Sequence, residues 1–301
     1  MVSGTGPAPI AVRGVTKRYP DVCAVDNLSF DVEASTVTGF LGPNGAGKTT
    51  TLRMISGLLR PTSGAVELFG IDARRPEARQ RLGYMPADPV FLPHLSGRAN
   101  LDLLARLRGL DAAPERAHAA DVLGLRDAEL DRKVGGYSSG MRQKLAIIAA
   151  VQHRPDVVVL DEPANRLDPL AHHAFCELLR SMTAGGGAVL LSSHVLAEVE
   201  AVCDVVLIVR EGRLLVEARV EDLREQAPRI VTVDYDRAPP TCPPAALTEP
   251  HVDGTRVVGR LASDRPDLVR AMLADPAVRD ITIAPASLED VVLDLYAGRA
   301  T

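Results

Sequence analysis

Short aliphatic runs alternate with longer segments of helical spacing until about residue 226, where the texture of the chain changes. Val37-Thr38-Gly39-Phe40-Leu41 leads into a helix-like stretch over 48–58. Val157-Val158-Val159-Leu160 is an unbroken β-branched and aliphatic run, as expected of a strand buried on both faces of a parallel sheet. Residues 188–193 and 204–209 read as further strands, the second closed by the turn Glu211-Gly212-Arg213, and 170–182 as a helix. Strands over 10–15 and 28–32 predict an antiparallel edge sheet. Between about 96 and 133, Leu101, Leu103, Leu104, Leu107 and Leu110 recur near helical spacing among Arg and Asp, which predicts an inserted amphipathic helical subdomain. Beyond 226, Ile230-Val231-Thr232-Val233 predicts a strand, the Pro-rich stretch 238–250 a loop, 256–261 a strand, 266–274 a helix and 280–283 a strand. A capping-box-like Ser287-Leu288-Glu289-Asp290 opens a last helix through Tyr296. The expected division is a flexible 1–9, an α/β domain over 10–226 with its helical insertion at about 96–145, and a small α+β domain over 227–301. No internal repeat is present.

Chemistry enters between the third predicted strand and its helix. Gly42-Pro43-Asn44-Gly45-Ala46-Gly47-Lys48-Thr49-Thr50 satisfies the spacing G-x-x-x-x-G-K-[ST]. Glycines let successive backbone N–H groups turn toward an anion, and the helix beginning near Gly47 adds its positive end. This is a nucleotide phosphate cradle, in which Lys48 reaches the β- and γ-phosphates and the Thr49 hydroxyl ligates Mg²⁺. The strand ending Val-Val-Val-Leu-Asp-Glu-Pro at Pro163 delivers two carboxylates at its carboxyl end, a Walker B arrangement. Asp161 is suited to hold the hydration shell of Mg²⁺, and Glu162 to polarise the water that attacks the γ-phosphate.

Tyr137-Ser138-Ser139-Gly140-Met141-Arg142-Gln143-Lys144, just upstream of that strand, resembles the signature of the ABC transporter ATPase family, Leu-Ser-Gly-Gly-Gln followed by a basic segment. The fit falls on Ser138 and Gly140, with Ser139 for the first Gly and Met141 for the Gln. Taken alone, Ser138 or Ser139 reads equally as a helix N-cap. Tyr19 matches the family's aromatic that stacks on adenine, although a lone Tyr is also ordinary packing. Asp168 matches the loop that crosses the dimer seam, and with Pro169 it is also a good cap for the following helix. His194, after the strand at 188–193, matches the family's γ-phosphate-sensing His. The resemblance covers about 10–224 and implies a P-loop NTPase of the ABC type, with a RecA-like parallel core, an antiparallel edge sheet and an inserted helical subdomain. It implies ATP and Mg²⁺ as cofactors, and two ATPase subunits, a homodimer or heterodimer, meeting head to tail so that each nucleotide lies between one phosphate loop and the other subunit's signature.

Two positions depart from the pattern. Where the family carries a Mg²⁺-ligating Gln, the chain has Ala87, followed by Asp88. The Asp88 carboxylate is a candidate substitute ligand, and the alternative is that Asp88-Pro89 only shapes a turn. Where relatives carry Thr-x-Gly, the chain has Ala164-Asn165-Arg166, with Arg166 expected to pair with an acidic group across the seam or to face solvent. Lys48, Asp161, Glu162 and His194 all remain.

The tail resembles the C-terminal extension of antibiotic and multidrug exporter ATPases, which implies export of a small molecule, antibiotic, drug-like or lipophilic, through a separate transmembrane permease. Composition agrees. The chain has 301 residues, 46% of them hydrophobic, and a net charge of −5, so there is no basic excess for nucleic acid. No apolar run approaches the roughly 18 residues of a membrane span, and the N-terminus has no signal-peptide pattern. The four cysteines, Cys23, Cys176, Cys203 and Cys242, lack metal spacing and read as reduced thiols. The expected location is peripheral, at the cytoplasmic face of the cell membrane. Two rival readings are an ABC ATPase acting on ribosomes or DNA, and a poorly hydrolysing regulatory module motivated by Ala87.

Overall fold

The computed structural model describes residues 6–110, 113–226, 229–237, 239, 247–261, 270, 272–287 and 290–291. The chain divides into two compact units, Met1–Val220 and Glu221–Thr301. In the first, β1 (Ile10–Arg18) and β2 (Cys23–Val32) form an antiparallel pair. β3 (Val37–Leu41) is buried throughout and runs through the glycine loop into α1 (Lys48–Ile55). β4 (Ser63–Leu68) and β5 (Ile71–Asp72) join β1 and β2 in a four-stranded sheet of order β2-β1-β4-β5. The edge sheet is therefore larger than the two predicted strands. The first half of β4 is exposed and includes Gly64, so it has no strand-like apolar pattern to read.

α2 (Pro76–Gln80) precedes β6 (Leu82–Met85). The helical insertion follows as α3 (Gly97–Leu107), α4 (Arg116–Val122), α5 (Asp127–Leu130), a 3₁₀ turn at Val134–Gly136 and α6 (Ser139–Val151). Ser96 caps α3 by accepting from the Ala99 N–H at 3.1 Å. Only part of the leucine stripe is core: Leu101 is buried, whereas Leu103, Leu104 and above all Leu107 are exposed. α6 starts at Ser139, so the signature-like residues from Ser139 onward belong to the helix itself and Ser138 caps it.

β7 (Val157–Asp161), α7 (Pro169–Ala184), β8 (Ala188–Ser193), α8 (Leu196–Val202), β9 (Val205–Arg210) and β10 (Arg213–Arg219) complete the unit. They build a six-stranded sheet of order β10-β9-β3-β8-β7-β6, parallel except for the β9–β10 hairpin. Val157, Val159 and Leu190 from this sheet meet Leu52, Met54 and Ile55 of α1 in one core, which also takes in Ile10 and Phe30 of the edge sheet. Each such side chain contributes about 2 kcal/mol by leaving water. That core locks α1, and hence the glycine loop before it, onto the carboxyl ends of the central strands.

The second unit begins near α9 (Val220–Gln226) and contains β11 (Arg229–Tyr235), β12 (Leu247–Asp253), β13 (Arg256–Leu261) and β14 (Val278–Pro285), antiparallel in the order β12-β13-β11-β14. Pro250 lies inside β12, which corrects the expectation of a loop through residue 250. The strand tolerates it because β12 is at the sheet edge and its register with β13 is irregular between Thr248 and His251. Most of the helix expected over 266–274 and of the final helix expected over 287–296 lies outside the described residues.

His153 closes the join between α6 and β6. Its Nε2 lies 3.1 Å from the Leu82 carbonyl, to which it donates, and its Nδ1 is buried without a partner among the described residues. Burial, reinforced by the Arg108 charge, pushes the imidazole down to about 4. Because the folded value is depressed, the unfolded chain binds the proton first, and stability falls as the pH drops from about 6.5 toward about 4. Discounted for partial solvent screening, the loss is roughly 2 kcal/mol. Urea unfolding at about pH 7.5 and about pH 5 checks this: the wild-type midpoint should fall more steeply than that of His153→Gln, which keeps a donor but does not titrate.

Candidate active site

Gly42 and Gly47 bound a loop that no other residue type could form here. A Cβ on Gly42 would stand 2.4 Å from the Val209 carbonyl oxygen. Gly47 has φ +95°, and a Cβ there would meet the Ala24 carbonyl oxygen at 2.3 Å. Pro43, Asn44 and Gly45 are exposed, and Ala46 is buried beneath them. Gly47 caps α1 with no side-chain hydrogen bond, and no acidic residue occupies the first turn. The free N–H groups and the positive helix end are thus directed outward with no built-in anion. Thr49 and Thr50 sit half-buried in that first turn.

Lys48 is almost fully buried, its Nζ donating to the Gly42 carbonyl at 2.6 Å and to the Pro43 carbonyl at 3.4 Å. Burial lowers its pKa, while the carboxylates of Glu162 and Asp161 pull the other way. Glu162 Oε1 is 3.9 Å from the ammonium. The lysine therefore spends its charge on neighbouring oxygens, partners that a phosphate is well suited to replace.

The carboxylates come from the adjoining ends of β7 and β8. Asp161 lies opposite Ser192 in the strand register, is fully buried, and accepts from the Ser192 hydroxyl at 2.7 Å through Oδ1. Its Oδ2 is buried without a partner among the described residues. Glu162 leaves the strand with φ +50°, a left-handed conformation that costs a non-glycine residue about 1–2 kcal/mol. Its N–H donates to the same Ser192 hydroxyl at 2.9 Å. Its Oε2 lies 3.0 Å from His194 Nδ1 and accepts from the Asn165 amide. His194 is half-exposed, held at the end of β8 by Ser193, whose hydroxyl accepts from the Val195 N–H at 2.9 Å and bonds Glu198 at 3.0 Å. Lys48, Glu162 and His194, far apart in sequence, thus form one contiguous cluster.

The other predicted positions surround that cluster or lie apart from it. Tyr19 sits in the β1–β2 turn with its ring half-exposed and Lys17 Nζ 5.3 Å from the ring centre. Ser138 caps α6 by accepting from the Met141 N–H at 3.2 Å, and Ser139 with Gly140 occupies the first turn. A Cβ on Gly140 would stand 3.1 Å from the Arg166 carbonyl oxygen, so signature and post-strand turn abut. Asp168 caps α7 through the Ala171 N–H at 2.9 Å. That bond, first among its causes, holds the carboxyl below its usual range. No described contact joins Ser138, Ser139, Gly140 or Asp168 to Lys48.

Arg166 is half exposed to solvent, as one of its two readings expects, and has an acidic neighbour within its own chain. It adopts φ +74°, and its Nη2 lies 3.5 Å from Asp88 Oδ1 of the same chain. Asp88 itself is 88% exposed. The placement gives Asp88 a cationic partner, and no described contact joins it to the buried Asp161.

Sequence reasoning missed three residues of the site. Asn165 holds Glu162, Ser192 joins both carboxylates, and the buried Gln143 donates from α6 to the Pro163 carbonyl at 2.8 Å. Asn and Gln next to motif residues carried a weak signal. Ser192 carried none, being a small polar residue in an apolar strand.

Known proteins resemble this chain over most of its length. The family described as ABC transporter matches residues 25–165. The chain is 37% identical over 295 residues to the Nod factor export ATP-binding protein I of Burkholderia pseudomallei (strain 1710b), covering 96% of this chain and 97% of that one. It is 36% identical over 220 residues to the uncharacterized ABC transporter ATP-binding protein YxlF of Bacillus subtilis (strain 168), covering 72% and 73%. Among solved structures, an ATP-binding subunit of an ABC transporter superposes with a TM-score of 0.67 at 31% identity, over 73% of this chain and 93% of that one. A dimeric ATP-binding cassette in a post-hydrolysis state, bound to ADP and Pi, shares the fold with a TM-score of 0.65 at 22% identity, over 70% and 98%. The phosphate loop, the strand-end carboxylates and a full-length likeness coincide in one chain, which belongs to the ABC transporter family as an ATP-binding subunit and is an ATPase.

Proposed function

We propose that this ATPase energises export of a small molecule through a separate transmembrane permease, working as a pair of ATPase subunits at the cytoplasmic face of the membrane. The observation that carries the catalytic part is the cluster of Lys48, Glu162 and His194 around one carboxylate. A polyphosphate seated on the loop competes for the Lys48 ammonium, which frees Glu162 Oε1 to accept a proton from the attacking water. His194 and Asn165 meanwhile hold Oε2 and fix the side chain. Asp161 and Thr49 fit Mg²⁺, since a fully buried carboxylate oxygen without a partner calls for a cation or its water. When bound, the ion neutralises charge on the phosphates. Tyr19, exposed at its turn, is available to an adenine ring. Ser138, Ser139, Gly140 and Asp168, without contact to Lys48 in one chain, serve the nucleotide of the second subunit.

Export is supported by the similarity, over nearly the whole chain, to Nod factor export proteins. A separate permease is supported by two features. No helix among the described residues is long and apolar enough to cross a membrane. Val90 and Leu92, ahead of the inserted helices, and Leu107, at the end of the first of them, are exposed large apolar side chains available to a partner. The intact hydrolytic cluster favours a motor over a regulatory module.

Glu162→Gln keeps the side chain's shape and removes its basicity. It is expected to bind ATP as wild type does and to lower steady-state Mg·ATP hydrolysis by about 100-fold or more. Wild-type turnover should rise when the permease encoded with it is co-purified, and a rate indifferent to any membrane partner would overturn the transport reading. Asp88→Ala separates the two roles of that carboxylate. An exposed ion pair is worth under about 1 kcal/mol, so turnover should change less than about threefold and the Mg²⁺ dependence not at all. A shift of Mg²⁺ half-saturation by about fivefold or more would return Asp88 to the metal.

A further inference from the structure

One hydroxyl contacts both acidic residues of the site. Ser192 is fully buried on β8, directly opposite Asp161 in the parallel register. Its Oγ donates to Asp161 Oδ1 at 2.7 Å and accepts from the Glu162 N–H at 2.9 Å. A serine hydroxyl has a single proton, so the two bonds fix each other's direction: the proton goes to the carboxylate, and a lone pair receives the amide. Neither bond belongs to the strand ladder.

The consequences differ for the two acids. Asp161 has one oxygen occupied and the other, Oδ2, buried and without a partner among the described residues. Ser192 thus holds one carboxylate oxygen and leaves Oδ2 for a cation or its water. Glu162 stands at the point where the chain abandons the sheet in a left-handed conformation, φ +50°. At such a point the amide loses its strand partner and must find another. Ser192 supplies it, and so holds the turn that swings the Glu162 side chain away from Asp161 and toward His194 and Lys48. Without that tether, two carboxylates on consecutive residues would be free to share one site, where like charges disfavour each other.

We propose that Ser192 is the positioning residue that assigns Asp161 to the metal and Glu162 to the water. The proposal rests on the ATPase reading of the site and deepens it. Ser192 bonds both acids, and acts through them.

The test compares wild type, Ser192→Ala and Ser192→Cys, the last keeping the volume and a weaker donor. A fluorescent ATP analogue is titrated in EDTA and again at increasing Mg²⁺, and steady-state hydrolysis is measured in parallel. In Ser192→Ala, the Mg²⁺-free affinity should stay within about twofold of wild type, because the glycine loop is untouched. The Mg²⁺ concentration that half-saturates the tightening of binding should rise about 10-fold, as for lost support of a metal ligand. Turnover should fall at least about 10-fold with KM nearly unchanged, and Ser192→Cys should lie between. A folded Ser192→Ala with wild-type Mg²⁺ half-saturation and turnover would overturn the proposal while leaving the ATPase reading intact. If that variant does not fold, wild-type values in Ser192→Cys overturn it equally. Wild type that binds without turnover would sink the hydrolytic reading instead, and the Mg²⁺ titration would still decide the role of Ser192.

Discussion

A carboxylate at zero exposure in the middle of an apolar sheet is the constraint around which this molecule is organised. Asp161 ends a strand whose other four residues are Val157, Val158, Val159 and Leu160, all buried. An unpaired charge there would cost several kcal/mol. The strand order answers it. β8 lies between β3 and β7, so Ser192 stands beside Asp161, and the loop leaving β3 brings Lys48 to the same end. The lysine is itself nearly buried, and its lowered pKa records the desolvation that the two acids only partly offset. Each buried charge is tolerable because the others are present, and the group as a whole is left one cation and one anion short of satisfaction. That deficit is what a magnesium-bound nucleotide would fill.

Backbone strain is present at the same place. Glu162 and Arg166 are both left-handed without being glycine, within the segment that links β7 to α7. At about 1–2 kcal/mol each, the turn is held against its preference by several hydrogen bonds of comparable worth. Ser192 and Gln143 bind its backbone, Asn165 binds Glu162 from within, and Asp168 fastens its far end to α7. The signature helix thus feeds directly into the turn that carries Glu162, through Gln143.

Local chemistry was readable from the chain because its causes are local. The glycine loop, the β-branched strand before Asp161-Glu162 and the placement of His194 after an aliphatic strand each state their role within a dozen residues. What escaped notice depends on neighbours remote in sequence. Ser192 matters only because β8 pairs with β7 in one register. Pro250 reads as a strand breaker until the sheet order puts β12 at an edge. The leucines of α3 follow the helical period faithfully, yet only Leu101 turns inward, since periodicity reports a face without saying what covers it.

The two departures from the family pattern make a similar point about reading positions singly. Along the chain, Ala87-Asp88 and Ala164-Asn165-Arg166 look like unrelated losses, one of a metal-ligating amide and one of a flexible glycine. In space, Asp88 and Arg166 are partners at 3.5 Å. An arginine at φ +74° is harder to explain than a glycine would be, unless its side chain does something a glycine cannot, and the acidic residue next to Ala87 gives it that task. Both groups are more than half exposed, so the pair is screened and weak. A weak link between the loop after β6 and the turn after β7 does not stiffen the resting subunit appreciably. It does join two segments that flank the signature, at a cost small enough for docking of a second subunit or a permease to break it.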